Sequence, residues 1–146
     1  MRVNASAEHA FSAFTKGFNL WWPRSHHIAK VEMAEAIIEP FAGGRWYERG
    51  EDGSECEWGK VLVWEPPGRL ILAWQINAQF AYDASLVTEV EVRFIEENAK
   101  LTRVELEHRD LERLGDEGHA FRAQIDSSGG WGHIMDLYAK QAGRAA

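Results

Sequence analysis

Two neighbouring segments alternate strictly between apolar and charged side chains, and this pattern limits the fold more than any other feature. They read TEVEVRF (88–94) and TRVELEH (102–108), and the turn residues Glu97-Asn98 separate them. Because successive side chains of a strand point to opposite faces, each segment predicts a strand with one buried and one solvated face. Such strands are typical of an antiparallel sheet.

Further strands are predicted between residues 31 and 76, where turn residues divide the chain into short runs. The run Val31–Pro40 contains β-branched residues and ends at a proline. Gly43-Gly44, Asp52-Gly53 and Pro66-Pro67-Gly68 predict the turns between the runs that follow. Together with the two alternating segments, this gives about six strands that follow one another as a meander.

A helix is predicted before the strands. Ser6 is suited to be its N-cap, and Glu8 lies in its first turn near the positive end of the helix dipole. Apolar side chains then recur at helical spacing at Ala10, Phe11, Phe14 and Phe18. Pro23 ends any helix there.

A second amphipathic helix is predicted near the C-terminus. Its apolar stripe comprises Trp131, Ile134, Leu137, Tyr138 and Gln141, and the candidate caps are Asp126, Ser127 and Ser128. The preceding polar, glycine-broken segment 109–130 predicts a loop with some helix. The order of elements indicates an α+β architecture in which the last helix covers the apolar face of the sheet.

Composition narrows the class of protein. The chain has 146 residues, which predicts a single domain over 1–146, and its net charge is −7 without any run of basic residues. That charge disfavours nucleic acid or an anionic membrane as a partner. Cys56 is the single cysteine, so no disulfide can form within the chain. With no signal peptide and no membrane span in the sequence, we expect a cytoplasmic protein.

Three short motifs carry a resemblance to a known family. They are the GGRW turn (43–46), the EPP turn that leads into the LILAW strand (65–74), and the GW pair (130–131) that opens the last helix. From about Val3 to Arg144, the chain resembles the activator of heat-shock-protein-90 ATPase homologue-like family. That family lies within the START/birch-pollen-allergen-like superfamily, also called SRPBCC or polyketide cyclase-like.

The resemblance implies a helix-grip fold. In that fold a curved antiparallel sheet wraps around a long C-terminal helix, short helices lie near the N-terminus, and a deep apolar cavity separates sheet and helix. Many relatives bind lipids, sterols, polyketides or other hydrophobic small molecules. Relatives also have a full strand before the first helix, whereas only residues 1–3 precede it here, so we expect that strand to be short or missing.

Tryptophan is concentrated in the predicted sheet, where four of the seven residues of this type lie between 43 and 74. They fill an ordinary core or line the cavity that the resemblance implies. The candidate cavity-lining residues are Trp46, Trp58, Trp74, Val92, Leu106, His108, Trp131 and Tyr138. A bulge near Gly59 is predicted to turn both Trp58 and Val61 inward. Trp64 is expected at a sheet end, and Trp21 and Trp22 either guard the mouth of the cavity or close the core.

The polar candidates are few. His108 shares strand parity with Leu106 and is predicted to face inward, either as a hydrogen-bonded structural residue or as an anchor for a ligand oxygen. Cys56 lacks a recognisable catalytic partner and is interpreted as a small hydrophobe. His26 and His27 are adjacent and should point apart, so no metal or other cofactor is predicted. Arg45 and Arg49 are expected to pair with surface carboxylates.

Our leading hypothesis is a protein that binds a hydrophobic, lipid- or polyketide-like small molecule in an apolar cavity, as a monomer or weak homodimer. One alternative is a cyclase/aromatase- or hydrolase-type enzyme with His108 or Tyr47 as acid or base, although no catalytic residue is assigned. The other is an interaction module that resembles chaperone ATPase activators and works through its surface.

Overall fold

The computed structural model describes residues 1–77, 79, 81–110, 113 and 130–144, apart from the side chain of Arg144. Its helices and strands are β1 (Arg2–Val3), α1 (Ala7–Thr15), α2 (Phe18–Trp21), β2 (Met33–Ile38), β3 (Arg45–Gly50), β4 (Glu55–Glu65), β5 (Arg69–Trp74), β6 (Thr88–Asn98), β7 (Leu101–Arg109) and α3 (Trp131–Arg144). Within these residues, none of the helices is long and apolar enough to cross a membrane.

One antiparallel sheet contains all of these strands, in the spatial order β1-β7-β6-β5-β4-β3-β2. The sheet curls around α3, which confirms the predicted helix-grip fold. The count is seven strands rather than about six, because the two residues of β1 pair with β7 at Arg2↔Arg103 and Val3↔Thr102. The first strand is therefore present but short, as its three-residue segment allows.

The first helix begins as predicted. The Ser6 side chain accepts a hydrogen bond from the backbone N–H of His9 at 3.1 Å, which satisfies one of the unpaired amides of the first turn. The helix buries the face that contains Phe11 and Phe14. A short break follows before α2 begins at Phe18, so the predicted apolar series spans two helices rather than one.

The buried stripe of α3 differs from the prediction at two positions. Met135 is buried where the sequence pattern favoured Leu137, which is only half-buried, and Gln141 is also half-buried. The reason is that α3 packs against α1 as well as the sheet: the Tyr138 hydroxyl donates a hydrogen bond to the Ala10 carbonyl at 2.7 Å. The candidate caps and most of the predicted loop 109–130 lie outside the described residues.

A β-bulge in β4 directs the Trp58 side chain into the core, as predicted. Trp46 pairs with Gly59 and Tyr47 pairs with Glu57, so Trp58 is the extra residue between them. Because the bulge shifts the alternation by one position, Trp58 and Val61 both point into the core, and each is only 1% exposed. The prediction of a bulge near Gly59 is confirmed.

Gly59 makes this arrangement possible, because its backbone approaches the neighbouring strand closely. A Cβ atom at Gly59 would lie 1.7 Å from the carbonyl oxygen of Ala73. Gly59 also pairs with Trp46 on one side and Trp74 on the other. Since a glycine has no side chain to fill the place between them, the two indole rings meet across it at a centroid distance of 5.5 Å.

The outer, convex face of the sheet carries ion pairs. Glu91, which is almost fully buried, contacts Arg69 at 2.8 Å, Arg93 at 3.2 Å and Arg109. The Arg69 guanidinium, with the help of its neighbours, lowers the pKa of the Glu91 carboxyl. The predicted pairing of Arg45 and Arg49 is confirmed as well, since their carboxylate partners include Glu55, Glu57 and Glu35.

Replacing Gly59 with alanine is expected to destabilise the protein by about 3 kcal/mol or more, because the new Cβ overlaps the backbone of β5. Gly68→Ala is the matched control, since a Cβ at Gly68 meets nothing within 4 Å. We expect that control to change stability by at most about 1 kcal/mol. Urea denaturation measures both values, and equal effects of the two substitutions would show that the close approach is unimportant.

Candidate ligand-binding site

Five tryptophans form a closed circuit of ring contacts between the concave face of the sheet, α2 and α3. The centroid distances are 5.6 Å for Trp46–Trp58, 5.3 Å for Trp58–Trp22, 6.0 Å for Trp22–Trp131, 5.7 Å for Trp131–Trp74 and 5.5 Å for Trp74–Trp46. We call this group the tryptophan circuit. Most of its contacts are edge-to-face, the geometry that the charge distribution of aromatic rings favours.

Different elements bring the five rings together. Trp46, Trp58 and Trp74 come from β3, β4 and β5, where the bulge and Gly59 place them on one face. Trp22 directly follows α2 and Trp131 is the first residue of α3. Phe18 stacks on Trp22 at 4.9 Å and also touches two sheet tryptophans. Trp21 and Trp22 were expected either to guard the mouth of the cavity or to close the core, and of these two Trp22 belongs to the circuit.

The indole N–H groups of the circuit differ in how they are satisfied. Trp22 donates to the His26 carbonyl at 2.9 Å, and Trp74 donates to the Ile76 carbonyl at 3.1 Å. Trp58 and Trp131 donate to side chains. The fifth donor, Trp46 Nε1, is buried and has no hydrogen-bond partner among the described residues, although buried indoles normally find one.

His108 faces inward, as its strand parity predicts, and both of its ring nitrogens are engaged. The Trp131 indole donates to Nδ1 at 3.2 Å, so Nδ1 carries no proton and Nε2 does. Nε2 then donates to Thr88 Oγ1 at 2.9 Å, and the Thr88 hydroxyl donates to the Trp74 carbonyl at 3.0 Å. This chain of three hydrogen bonds fixes the neutral tautomer and joins β7, β6, β5 and α3.

The surroundings of His108 disfavour its charged form. Its ring lies 5.1 Å from Trp74 and 6.1 Å from Trp131. Burial among these rings lowers the pKa of His108 from 6.5 to about 4. The imidazole is therefore neutral at pH 7 and stabilises the junction as a hydrogen-bonding group.

Glu48 is a polar residue of this region that the sequence interpretation missed. It lies on β3, two residues after Trp46, and it is fully buried. One carboxylate oxygen, Oε1, accepts hydrogen bonds from Trp58 Nε1 at 2.8 Å and from the Ile28 backbone N–H at 2.7 Å. The signal for it was its shared strand parity with Trp46, which places both side chains on the concave face.

The remaining candidates occupy different places. Val92 of β6 pairs with Leu106 of β7, and Leu106 lies two residues before His108 on the same strand. Leu106 is half-buried. Tyr138 lies apart from the circuit: its ring packs on Phe14 and Trp21, and its hydroxyl is bonded to α1. Burial raises the pKa of Tyr138, so it stays protonated there.

Two tryptophans are outside the circuit. Trp21 packs beside Tyr138 and donates its N–H to the Ala13 carbonyl at 2.9 Å. Trp64, near the end of β4, contacts Phe11 at 5.0 Å, in agreement with its expected place at a sheet end. Of the four tryptophans between residues 43 and 74, three therefore belong to the circuit.

Tyr47 does not reach the concave face. Its ring lies 3.9 Å from the Arg45 guanidinium on the outer face, because it neighbours the inward-facing Trp46 on the same strand. The hypothesis that Tyr47 acts as acid or base inside a cavity is therefore wrong.

His26, His27 and Cys56 are the other reactive side chains that the sequence analysis considered. His26 bonds to Ser25, whereas His27 bonds to the Ala29 carbonyl. Across the described part of the chain, no three His, Cys, Asp or Glu side chains are grouped to hold a metal. Burial raises the pKa of the half-buried Cys56 thiol, which opposes formation of a nucleophilic thiolate.

A curled antiparallel sheet around a C-terminal helix defines the SRPBCC, polyketide cyclase-like class of ligand-binding folds, and this chain has that architecture. The chain belongs to the family described as Activator of Hsp90 ATPase homolog 1-like protein, which matches residues 4–140. The resemblance inferred from the sequence motifs is confirmed. No curated protein matches the sequence.

Three solved structures resemble this chain. The anthrahydroquino-γ-pyrone synthase Txn09, complexed with SUM, is 38% identical, with 97% of this chain and 92% of that chain covered and a TM-score of 0.67. The self-sacrificing resistance protein CalC from Micromonospora echinospora is 30% identical, with 100% and 92% covered and a TM-score of 0.74. Protein NE0264 from Nitrosomonas europaea, at 11% identity, covers 100% and 94% with a TM-score of 0.60 and shares the fold alone.

The stability of the protein is expected to depend on His108 below neutral pH. Because its pKa is lower in the folded state than in the unfolded state, only the unfolded chain takes up this proton as the pH falls from about 6.5 towards 4. We expect this group to remove about 2 kcal/mol of unfolding free energy between pH 7 and pH 5. His108→Phe should lose this component of the pH dependence.

Urea denaturation at pH 7 and pH 5 measures the effect in the wild type and in two variants. His133→Gln is the matched control, because it removes a histidine that is exposed on α3. If His108→Phe retains the full wild-type pH dependence, His108 is not the group that titrates.

Proposed function

We propose that the chain binds a hydrophobic, polycyclic or polyketide-like small molecule at the tryptophan circuit. The observation that carries this proposal is the circuit itself, which concentrates five indoles on the concave side of the sheet. Tryptophan offers a large, rigid apolar surface at a small entropic cost, and flat ring systems bind well against it.

The proposed entrance lies where β5 and β7 end and α3 begins. Trp131, His108 and Leu106 gather there and are half-buried, whereas Trp46 and Trp58 are fully buried. A ligand that enters at this end would first contact the exposed parts of Trp131 and His108 and then the deeper rings. Binding would require the rings to separate, and Trp22 and Trp131 lie outside the hydrogen-bonded sheet that holds the other three rings.

Two relatives support a ligand of this kind. Txn09, at 38% identity, is named as a synthase of an anthrahydroquino-γ-pyrone, a polycyclic aromatic compound, and was solved in complex with SUM. CalC, at 30% identity, is named as a resistance protein. One relative is thus an enzyme and the other a protective protein, so binding is the property that we transfer to this chain.

An enzyme of the cyclase type is the second candidate, and the identity to a synthase favours it. In this alternative, the groups available on the concave face are the neutral His108 imidazole and the Glu48 carboxylate. Turnover of a bound polycyclic ligand, followed by mass spectrometry, separates this candidate from simple binding.

The binding proposal is tested with the dye 8-anilinonaphthalene-1-sulfonate, whose emission rises when it leaves water. We expect the wild type to bind it with quenching of tryptophan emission, and Trp131→Ala to weaken binding about tenfold because a large apolar contact is lost. Trp64→Ala is the matched control: Trp64 is also half-buried and packed on an aromatic ring, but it lies outside the circuit.

The control should change the dissociation constant less than about twofold. Circular dichroism at the assay temperature verifies that each variant is folded. Equal weakening by the two substitutions, or no binding to the folded wild type, would contradict the proposal.

A further inference from the structure

Two buried polar atoms without partners lie close together in sequence on the concave face. Trp46 Nε1 and Glu48 Oε2 each lack a hydrogen bond to any described residue, and both side chains are fully buried. They are two residues apart on β3, so they project from the same face of the sheet. One is a hydrogen-bond donor and the other, in the carboxylate, is an acceptor.

Such a pair is unfavourable for folding. A buried polar group that makes no hydrogen bond lowers stability, and a buried carboxylate without a cationic partner lowers it further. Within the described residues, Glu48 forms no ion pair, whereas Glu91, which is almost as buried, contacts three arginines on the outer face. The chain therefore satisfies one buried carboxylate fully and the other only in part.

The neighbours of Glu48 hold it in one position. Its Oε1 atom receives two hydrogen bonds, from Trp58 Nε1 and from the Ile28 backbone N–H, which belong to different parts of the chain. The direction of Oε2 is therefore set before any ligand arrives. Trp46 is similarly fixed by ring contacts with Trp58 and Trp74. Groups that are rigid and unsatisfied are suited to recognise a polar atom of a ligand.

The chemistry of the pair selects the ligand group. An ammonium can donate to the carboxylate but cannot accept from the indole, and a carbonyl or ether oxygen can accept but cannot donate. A hydroxyl does both. The surrounding indoles favour an aromatic carrier for that hydroxyl.

We propose that Trp46 and Glu48 form a polar anchor for a phenolic hydroxyl of an aromatic ligand, in which the Trp46 N–H donates to the hydroxyl oxygen and the hydroxyl donates to Glu48 Oε2. This anchor rests on the proposed function, because it assigns a ligand class to the same site. No bond is made or broken in the recognition step.

Two substitutions remove one half of the anchor each. In Glu48→Gln, the amide oxygen still accepts from Trp58 and Ile28, but the amide nitrogen replaces Oε2 and cannot accept from a hydroxyl. Trp46→Phe keeps an aromatic ring and removes the N–H donor. Both variants leave the other rings of the tryptophan circuit in place.

Isothermal titration calorimetry with 2-naphthol and 2-methylnaphthalene tests the anchor at pH 7. The two probes have the same ring system and nearly the same size, and only the first has a hydroxyl. We expect the wild type to prefer 2-naphthol by at least about tenfold, and each variant to reduce this preference by at least about fivefold. The affinity for 2-methylnaphthalene should change less than about threefold.

Two controls match the substitutions in chemistry but not in place. Glu91→Gln neutralises the buried carboxylate of the outer face, and Trp21→Phe removes an indole N–H that already bonds to the Ala13 carbonyl, outside the tryptophan circuit. Both should retain the wild-type preference for 2-naphthol. Thermal unfolding adds an independent measurement: Glu48→Gln should be as stable as the wild type or more stable, whereas Glu91→Gln should be less stable.

The outcomes separate the two proposals. If the wild type binds both probes and Glu48→Gln and Trp46→Phe keep its preference, the anchor is wrong and the binding site stands. If Glu48→Gln weakens both probes equally and lowers the melting temperature, Glu48 has a structural role and the anchor is also wrong. If the folded wild type binds neither probe nor the dye, the binding proposal fails together with the anchor.

Discussion

The close approach of Gly59 to the Ala73 carbonyl is the contact on which the inner face of this sheet depends. It accompanies the bulge that turns Trp58 inward, and it leaves the space in which Trp46 and Trp74 meet. Trp22 and Trp131 then complete the circuit from the helical side. A side chain at this one position would separate strands and rings together, so backbone geometry and aromatic packing are coupled here.

The buried carboxylates on the two faces of the sheet have different partners. On the outer face, three guanidinium groups surround Glu91 and compensate for its loss of water. On the inner face, Glu48 accepts hydrogen bonds from two N–H groups on one oxygen, and no described residue donates to the other. The inner face also contains the fully satisfied chain from Trp131 through His108 and Thr88 to Trp74. Its polar groups thus divide into those that join elements and those that we propose recognise a ligand.

The candidate site could be predicted in part, and the limits have physical causes. Strand parity correctly predicted that His108 faces inward, since the period of a strand is independent of its partners. A local pattern cannot tell which inward residues meet: Tyr138, a candidate cavity-lining residue, packs on α1 and lies apart from the circuit. Glu48 was overlooked because a charged residue in a strand is ordinarily solvated, and only its neighbours reveal that it is buried.

The residue order alone determined the six longer strands, most of the turns between them, the helix cap at Ser6 and the family, because these depend on local periodicity and short motifs. It also indicated the bulge at Trp58, since two inward residues of opposite parity flank Gly59. The closure of the tryptophan circuit and the partners of Glu48 depended on the tertiary structure. They join segments far apart in the chain, and their contacts arise from how the sheet curls around α3, which no local pattern encodes.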